Sequence, residues 1–257
     1  MVSRASVLVA ASALLCASTA YGAEIKVMIS GGFTAAYRDL TPEFERMTKH
    51  TVATVRGASM GTTPDSIPSR LQRGEPVDAL IIVEEALDGL ITQGKVVGGS
   101  RIALARSKIG MAVRAGAPKP DISSVDAFKR TLLEASSVAY SDSASGVYIS
   151  TVLFPRLGIA DQMLGKSKRL PGESIGTIVA RGEAELGFLP ISELLPVRGI
   201  DYVGPLPSEI QKVTVYSAGI AVGAKEPAAA RALLEFLASP AAAAAITRSG
   251  LEPAAAK

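Results

Sequence analysis

Ile25-Lys26-Val27-Met28-Ile29 and Ala79-Leu80-Ile81-Ile82-Val83 are two short apolar runs, and what lies between them decides the fold. Phe33, Tyr37, Leu40, Phe44 and Met47 recur at spacings of three and four, which puts them on one face of a helix packed against a sheet. A strand that is apolar along its whole length is buried on both faces, and such strands alternating with amphipathic helices define an α/β fold. Thr41-Pro42 interrupts the first helix, with Thr41 placed to cap and Pro42 in a first-turn position, so a restart or kink is expected there. Thr51 to Arg56 is a second strand. Gly57 to Pro64 is a glycine- and hydroxyl-rich loop that leads into a helix around Ile67 to Arg73, and a helix over Glu84 to Gln93 follows the run at Ala79.

Beyond Gly98-Gly99 the pattern changes. Arg101 to Arg106 and Lys108 to Arg114 read as two consecutive extended segments with no helix between them, a plausible crossing into a second unit. The alternation then resumes: a helix at Val125 to Glu134, a strand at Ser137 to Tyr140, the loop Ser141 to Gly146, a helix to about Leu157, and a helix at Ile175 to Arg181. Strands follow at Glu185 to Leu189 and near Ile200 to Val203. Val213 to Val222 is long enough to bridge back. Two helices close the chain, one over Pro227 to Ala238 with Leu233, Leu234, Phe236 and Leu237 as core residues. The other opens with Ser239 as cap and Pro240 in its first turn, and ends at Gly250.

Charge and cysteine content exclude several classes. Lys+Arg number 27 against Asp+Glu 24, aromatics make up 5% and Trp is absent, so nucleic-acid grooves and stacking platforms are poorly supplied. Arg4, the apolar run Val7 to Leu15 and small residues up to Ala23 form a secretory signal peptide over residues 1–23, cleaved near Ala23. The only cysteine, Cys16, lies inside that segment, which removes disulfides and thiolate chemistry from the exported protein. The location expected is the periplasm.

Gly57-Ala58-Ser59-Met60-Gly61 matches a serine-hydrolase nucleophile elbow after a strand, but its context fails. The single histidine, His50, precedes Ser59 and sits at a helix-to-strand turn, so the hydroxyl lacks its base. One histidine and no cysteine cannot assemble a His- or Cys-based metal site, and no nucleotide-binding glycine motif is present. What recurs is glycine with hydroxyl residues where strands end and helices begin: Ser30-Gly31-Gly32, Ala58 to Thr63, and Ser141 to Gly146 with Tyr148. Each alone is ordinary capping and turn chemistry. Together, at the carboxyl ends of strands, they outline a cleft for an anion.

Leu40-Thr41-Pro42-Glu43-Phe44-Glu45, Arg101 to Ala105, Arg181-Gly182-Glu183-Ala184-Glu185-Leu186-Gly187-Phe188 and Ala230 to Pro240 resemble the periplasmic molybdate-binding proteins of ABC importers, within the type 2 solute-binding superfamily. The resemblance implies a two-lobed periplasmic binding protein type 2 fold, each lobe a sheet flanked by helices and joined by hinge strands. Lobe I is expected at 24–104 plus 218–257 and lobe II at 105–217. It also implies ligand contacts from Ser30, Gly31 and Gly32, from Ser59, Met60, Gly61 and Thr62, from Ser145, Gly146, Val147 and Tyr148, and from the Pro190-Ile191 turn. The family's tyrosine after the Leu-Gly-apolar strand has no counterpart in Gly187-Phe188-Leu189-Pro190, and Pro190 has no N–H to offer. The second loop is also longer.

These departures tilt the expected ligand from molybdate or tungstate toward a small di- or tricarboxylate, with Arg56, Arg70 or Arg106 as weak candidates for a charged fork. The resulting expectation is a monomeric, exported solute-binding protein that delivers a small anion to an ABC permease. It binds no nucleic acid, metal or cofactor and performs no reaction.

Overall fold

The computed structural model describes residues 22–171 and 173–254, so the signal-peptide reading, Cys16 included, falls outside them except at its last two positions. β1 (Glu24–Ile29), α1 (Thr34–Thr48), β2 (Thr51–Arg56), α2 (Ile67–Gln72), β3 (Ala79–Val83) and α3 (Glu84–Thr92) form the first alternating unit. β1 pairs in parallel with both β2 and β3. Its side chains divide by parity, as buried strands require. Ile25, Val27 and Ile29 join Ile81, Leu40 and Phe44 on one face, whereas Met28, Leu80 and Ile82 meet Ile67, Leu87 and Leu90 on the other.

The two extended segments expected after Gly99 are one 13-residue strand, β4 (Ile102–Arg114). α4 (Val125–Glu134), β5 (Val138–Ser141), α5 (Ala144–Tyr148), a π-type turn at Ile149–Leu153, α6 (Phe154–Arg156) and α7 (Ala160–Leu164) follow. Then come β6 (Ser167–Leu170), α8 (Ile175–Ala180), β7 (Leu186–Pro190), α9 (Ile191–Leu194), β8 (Ile200–Pro205) and β9 (Val213–Ile220). α10 (Pro227–Leu237), α11 (Ala243–Arg248) and the short β10 (Glu252–Pro253) close the chain. The order across the sheet is β2-β1-β3-β9-β4-β7-β5-β6, with β8 and β10 pairing onto β4. Neither β6 nor β10 was expected: β6 is four residues of mixed polarity at the sheet edge, and β10 is two residues long.

β4 changes partner along its length. Ile102 to Lys108 pair with β9, which itself lies antiparallel to β3, and Ile109 to Arg114 pair with β7 and β8. The second half therefore has its own core, with Met111, Val138, Phe188, Phe128 and Leu153 on one face and Ala112, Ala139, Ile175 and Val179 on the other. At the changeover, the register partner of Ile109 is Pro190, which has no N–H to donate. On the other edge of β4, where β9 gives way to β8, the Ile109 carbonyl accepts from the Leu206 N–H at 3.1 Å and also meets the Gln211 side chain. Its Oε1 accepts from the Ile109 N–H at 2.9 Å, and its Nε2 donates to the Ile109 carbonyl at 2.9 Å.

Several local expectations are corrected. α1 runs unbroken through Pro42, and Thr41 is no cap: its hydroxyl donates to the Tyr37 carbonyl at 2.7 Å, one turn back in the same helix. Met47 is 64% exposed, because the apolar stripe turns away from the core in the last turn of α1. Ser239 sits at the N-cap, yet its hydroxyl donates back to the Phe236 carbonyl. Phe236 itself is half-buried at the rim of the core.

Gln211→Ala leaves the buried Ile109 amide without its acceptor. We expect a loss of about 1–3 kcal/mol in chemical denaturation, the cost of one unsatisfied buried polar group.

Candidate functional site

Every loop that forms the site follows the carboxyl end of a strand, where the backbone leaves the sheet and its polar groups are free. The loops after β1, β2, β5 and β7 meet β4 and β9 at a cavity of about 300 Å³. Of the residues expected there, Ser30, Gly31, Ser59, Met60, Ser145 and Pro190 line the wall.

The others lie off the wall for identifiable reasons. Gly32 is packed behind it, where an added Cβ would come within 2.0 Å of the Tyr216 hydroxyl. Gly61 turns the long loop at φ +99°, which leaves Thr62 exposed and brings Thr63 to the cavity instead. Gly146 lies inside α5, where a Cβ would strike the Ser141 carbonyl. The Val147 N–H is taken by the Ser143 carbonyl, and the Tyr148 hydroxyl by the Ile210 carbonyl at 2.8 Å. Ile191 packs against Gly110 and Gly250, either of which would clash with it if it carried a Cβ. Arg56 lines the cavity, whereas Arg70 is held by Glu75 and the Asp65 carbonyl. Arg106 does not line it and faces Glu252 across the β4–β10 ladder.

The hydroxyls differ in how they are used. Ser59 Oγ accepts from the Val83 N–H at 3.2 Å, which leaves its proton free to point into the cavity. Ser141, Ser143 and Ser145 form a chain, with Oγ separations of 2.6 and 3.3 Å. Ser30 and Ser107 are buried, line the cavity, and have no hydrogen-bond partner for Oγ among the described residues. Buried polar atoms are rarely left this way, so both hydroxyls are suited to meeting a ligand. No histidine reaches the site: His50 Nδ1 accepts from the Ala23 N–H, and its ring stacks on Phe44. Ser59 therefore has no histidine base here.

Sequence reading missed Ser107, Lys108, Thr214, Tyr216 and Glu193, all of which line the cavity. Lys108 is paired with Glu252 Oε1 at 2.5 Å. Glu193 sits in α9, which docks against the first loop through a 2.7 Å bond from Ser192 Oγ to the Gly32 carbonyl. Burial pushes the Glu193 carboxyl up to about 7. The Tyr216 hydroxyl is pushed far up by burial and then by the nearby Glu193 charge, so it stays a neutral donor. Tyr216 thus supplies a tyrosine hydroxyl from β9, although the strand expected to provide one has none.

The chain belongs to the bacterial extracellular solute-binding protein family, which it matches over residues 25–252. It is 49% identical over 249 residues to the aconitate isomerase of a Pseudomonas species, covering 95% of each chain. It is 29% identical over 248 residues to the molybdate-binding protein ModA of Azotobacter vinelandii, covering 93% of this chain and 92% of that one. The solved periplasmic molybdate-binding protein of that organism superposes with a TM-score of 0.71 at 22% identity, over 88% of this chain and 98% of that one.

The resemblance to the molybdate-binding family and the two-lobed α/β fold are thus borne out. The chain is a ModA-like solute-binding protein of the type that serves ABC importers, an extracytoplasmic family whose members bind small anions and work with a permease. The expectation of no reaction is corrected: a relative that shares half the residues over nearly the whole chain is an enzyme.

Because Ser30 and Ser107 stabilise nothing in the unliganded protein, S30A and S107A should leave unliganded stability within about 0.5 kcal/mol of wild type. Each should weaken anion binding by about tenfold or more, since a hydrogen bond to a charged group contributes about 1.5–3 kcal/mol. Paired thermal unfolding and calorimetric titration check this, and an equal loss in both would mark the hydroxyls as structural.

Proposed function

We propose that this protein is a periplasmic isomerase of a small unsaturated tricarboxylate of the aconitate type. The observation that carries the reading is the 49% identity to an aconitate isomerase over 95% of both chains. The cavity chemistry supports it. Ser30, Ser59, Ser107, the serines from 141 to 145 and Tyr216 offer neutral donors, and Arg56 and Lys108 add positive charge at the wall. That spread of donors suits carboxylates along a carbon frame better than one tetrahedral oxyanion.

Isomerisation of such an acid follows from its structure. A carbon–carbon double bond blocks rotation, so its geometry changes when a proton leaves the carbon on one side of the double bond and one is returned on the other. The shift is redox-neutral. The protein's part is to hold the carboxylates, exclude water and handle one proton.

In this reading lobe I is 24–104 plus 218–257, lobe II is 105–217, and a monomer closes on its substrate through β4 and β9. Export uses the first 23 residues as a signal, and β1 begins immediately after them at Glu24. Ligand contacts come from the wall residues of the expected set, Ser30, Gly31, Ser59, Met60, Ser145 and Pro190, with the further residues named above. Nucleic acid is no partner.

Purified protein incubated with cis- or trans-aconitate, and followed by proton NMR, should drive either isomer to the same equilibrium mixture. The expected companion result is thermal stabilisation by aconitate, about 2.7 kcal/mol at 100 times the dissociation constant. Stabilisation by molybdate or tungstate alone, with no interconversion, would replace this reading with oxyanion binding.

A further inference from the structure

Glu193 is out of place in a site built only to bind polyanions. Its carboxyl packs directly against the first loop at the cavity wall: a Cβ added to Gly31 would lie 3.1 Å from its Oε1 and 3.2 Å from its Oε2. It lines the same wall as Arg56 and Lys108, yet it makes no hydrogen bond or ion pair among the described residues, and Lys108 is engaged by Glu252 instead. A carboxylate beside bound carboxylates repels them, and a structural carboxylate in a protein interior is normally paired. Asp78 shows the paired arrangement in this molecule, where its two oxygens accept from the Lys26, Lys225 and Glu226 N–H groups. An unpaired acid held against the cavity fits a group that must accept and return a proton.

We propose that Glu193 is the catalytic residue that carries the proton between the two ends of the substrate's three-carbon allylic unit, an assignment that rests on the isomerase reading. In the forward step the C–H bond of the methylene carbon breaks and its proton passes to Glu193 Oε. The electron pair left behind delocalises over the allylic unit and into the carboxylates at its two ends. Glu193 then gives the proton to the former vinyl carbon, where a new C–H bond forms. The double bond has moved by one position, Glu193 is a carboxylate again, and no oxidant or co-reactant is consumed. The two carbons lie on the same allylic unit two bonds apart, so one carboxyl on one face reaches both.

The charge environment suits this role. Burial places the Glu193 carboxyl near 7, where acid and base forms are both populated at neutral pH. The other titratable or charged groups on the wall are Arg56 at the end of β2, Asp65 after the second loop, Lys108 from β4, Asp142 after β5 and Tyr216 from β9. Tyr216 is the one whose charge interaction with Glu193 is resolved, and it remains protonated.

The test compares wild type, E193Q and E193D in D2O with aconitate, reading interconversion of the isomers and deuterium entry by NMR and affinity by calorimetry. We expect wild type to exchange and isomerise. E193Q should bind within a few-fold of wild type while exchange falls about 100- to 10,000-fold, the span of general acid–base catalysis. E193D should keep part of the activity. The wild-type exchange rate should climb with pH and level off above about 7.

E193Q that exchanges like wild type overturns the assignment and leaves the isomerase reading standing. So does an E193Q whose whole defect is in affinity. Wild type that binds aconitate without interconverting its isomers overturns the isomerase reading itself. A readout independent of turnover comes from stability. The folded protein holds the Glu193 proton more tightly than the unfolded chain, whose value is near 4.5, so stability falls as pH rises from there to about 7. E193Q should lack this slope, and an unchanged slope counts against the assignment.

Discussion

One strand belongs to both halves of the molecule, and the site depends on it. β4 is hydrogen-bonded to β9 up to Lys108 and to β7 and β8 from Ile109 onward. The two parallel units on either side, β2-β1-β3 and β7-β5-β6, therefore cannot be placed independently. Their loop-bearing ends are aimed at one another by the shared backbone, and Ser107, Lys108 and Ile109 lie on the cavity floor where the partner changes. Gln211 holds that point together between β8 and β9, its side-chain amide bonding both the N–H and the carbonyl of Ile109. The changeover is thus ordered without being locked into a continuous ladder, which suits it to bending.

Much of the fold was legible because strands buried on both faces and helices with an apolar stripe leave a strong periodic signal. The strands from β1 to β3, β5, β7 and β9, and the long helices, all announced themselves this way. What failed did so for local reasons. Pro42 is the ninth residue of α1, inside the helix, yet the helix runs through it because Leu40 and Phe44 on either side are held in the core. β6 has neither alternation nor an apolar run, and β10 is held only by pairing with β4. The three glycine-and-hydroxyl loops were readable because turn chemistry is local. Tyr216, Ser107 and Glu193 were not, because they come from a strand core, a strand crossing and a four-residue helix that only the tertiary pairing brings together. The nearest signal for Tyr216 was negative: with no tyrosine after Phe188, the hydroxyl at the cavity comes from the neighbouring hinge strand β9.

The donor set explains why a scaffold for binding anions can do more than bind. Neutral hydroxyls stabilise a dehydrated anion without the strong charge pairing that would make release slow. Ser59 is oriented by Val83, the serines after β5 by one another, and Ser30 and Ser107 are left free. Such a cavity is already preorganised for developing negative charge, the property that contributes most to stabilising an enolate-like species. A binding site of this kind needs only a proton carrier placed within it to become reactive.

Glu193 meets that condition because of where α9 begins. Pro190 ends β7 and starts the helix, Ser192 ties it to the Gly32 carbonyl, and the next side chain is thereby placed against Gly31 at the cavity wall. The residue is positioned by an interaction between the two halves of the molecule. Adding anionic carboxylates beside it disfavours its ionised form further, which strengthens it as a proton acceptor. The same repulsion that makes a carboxylate a poor ligand for a polyanion makes it a good custodian of that polyanion's proton.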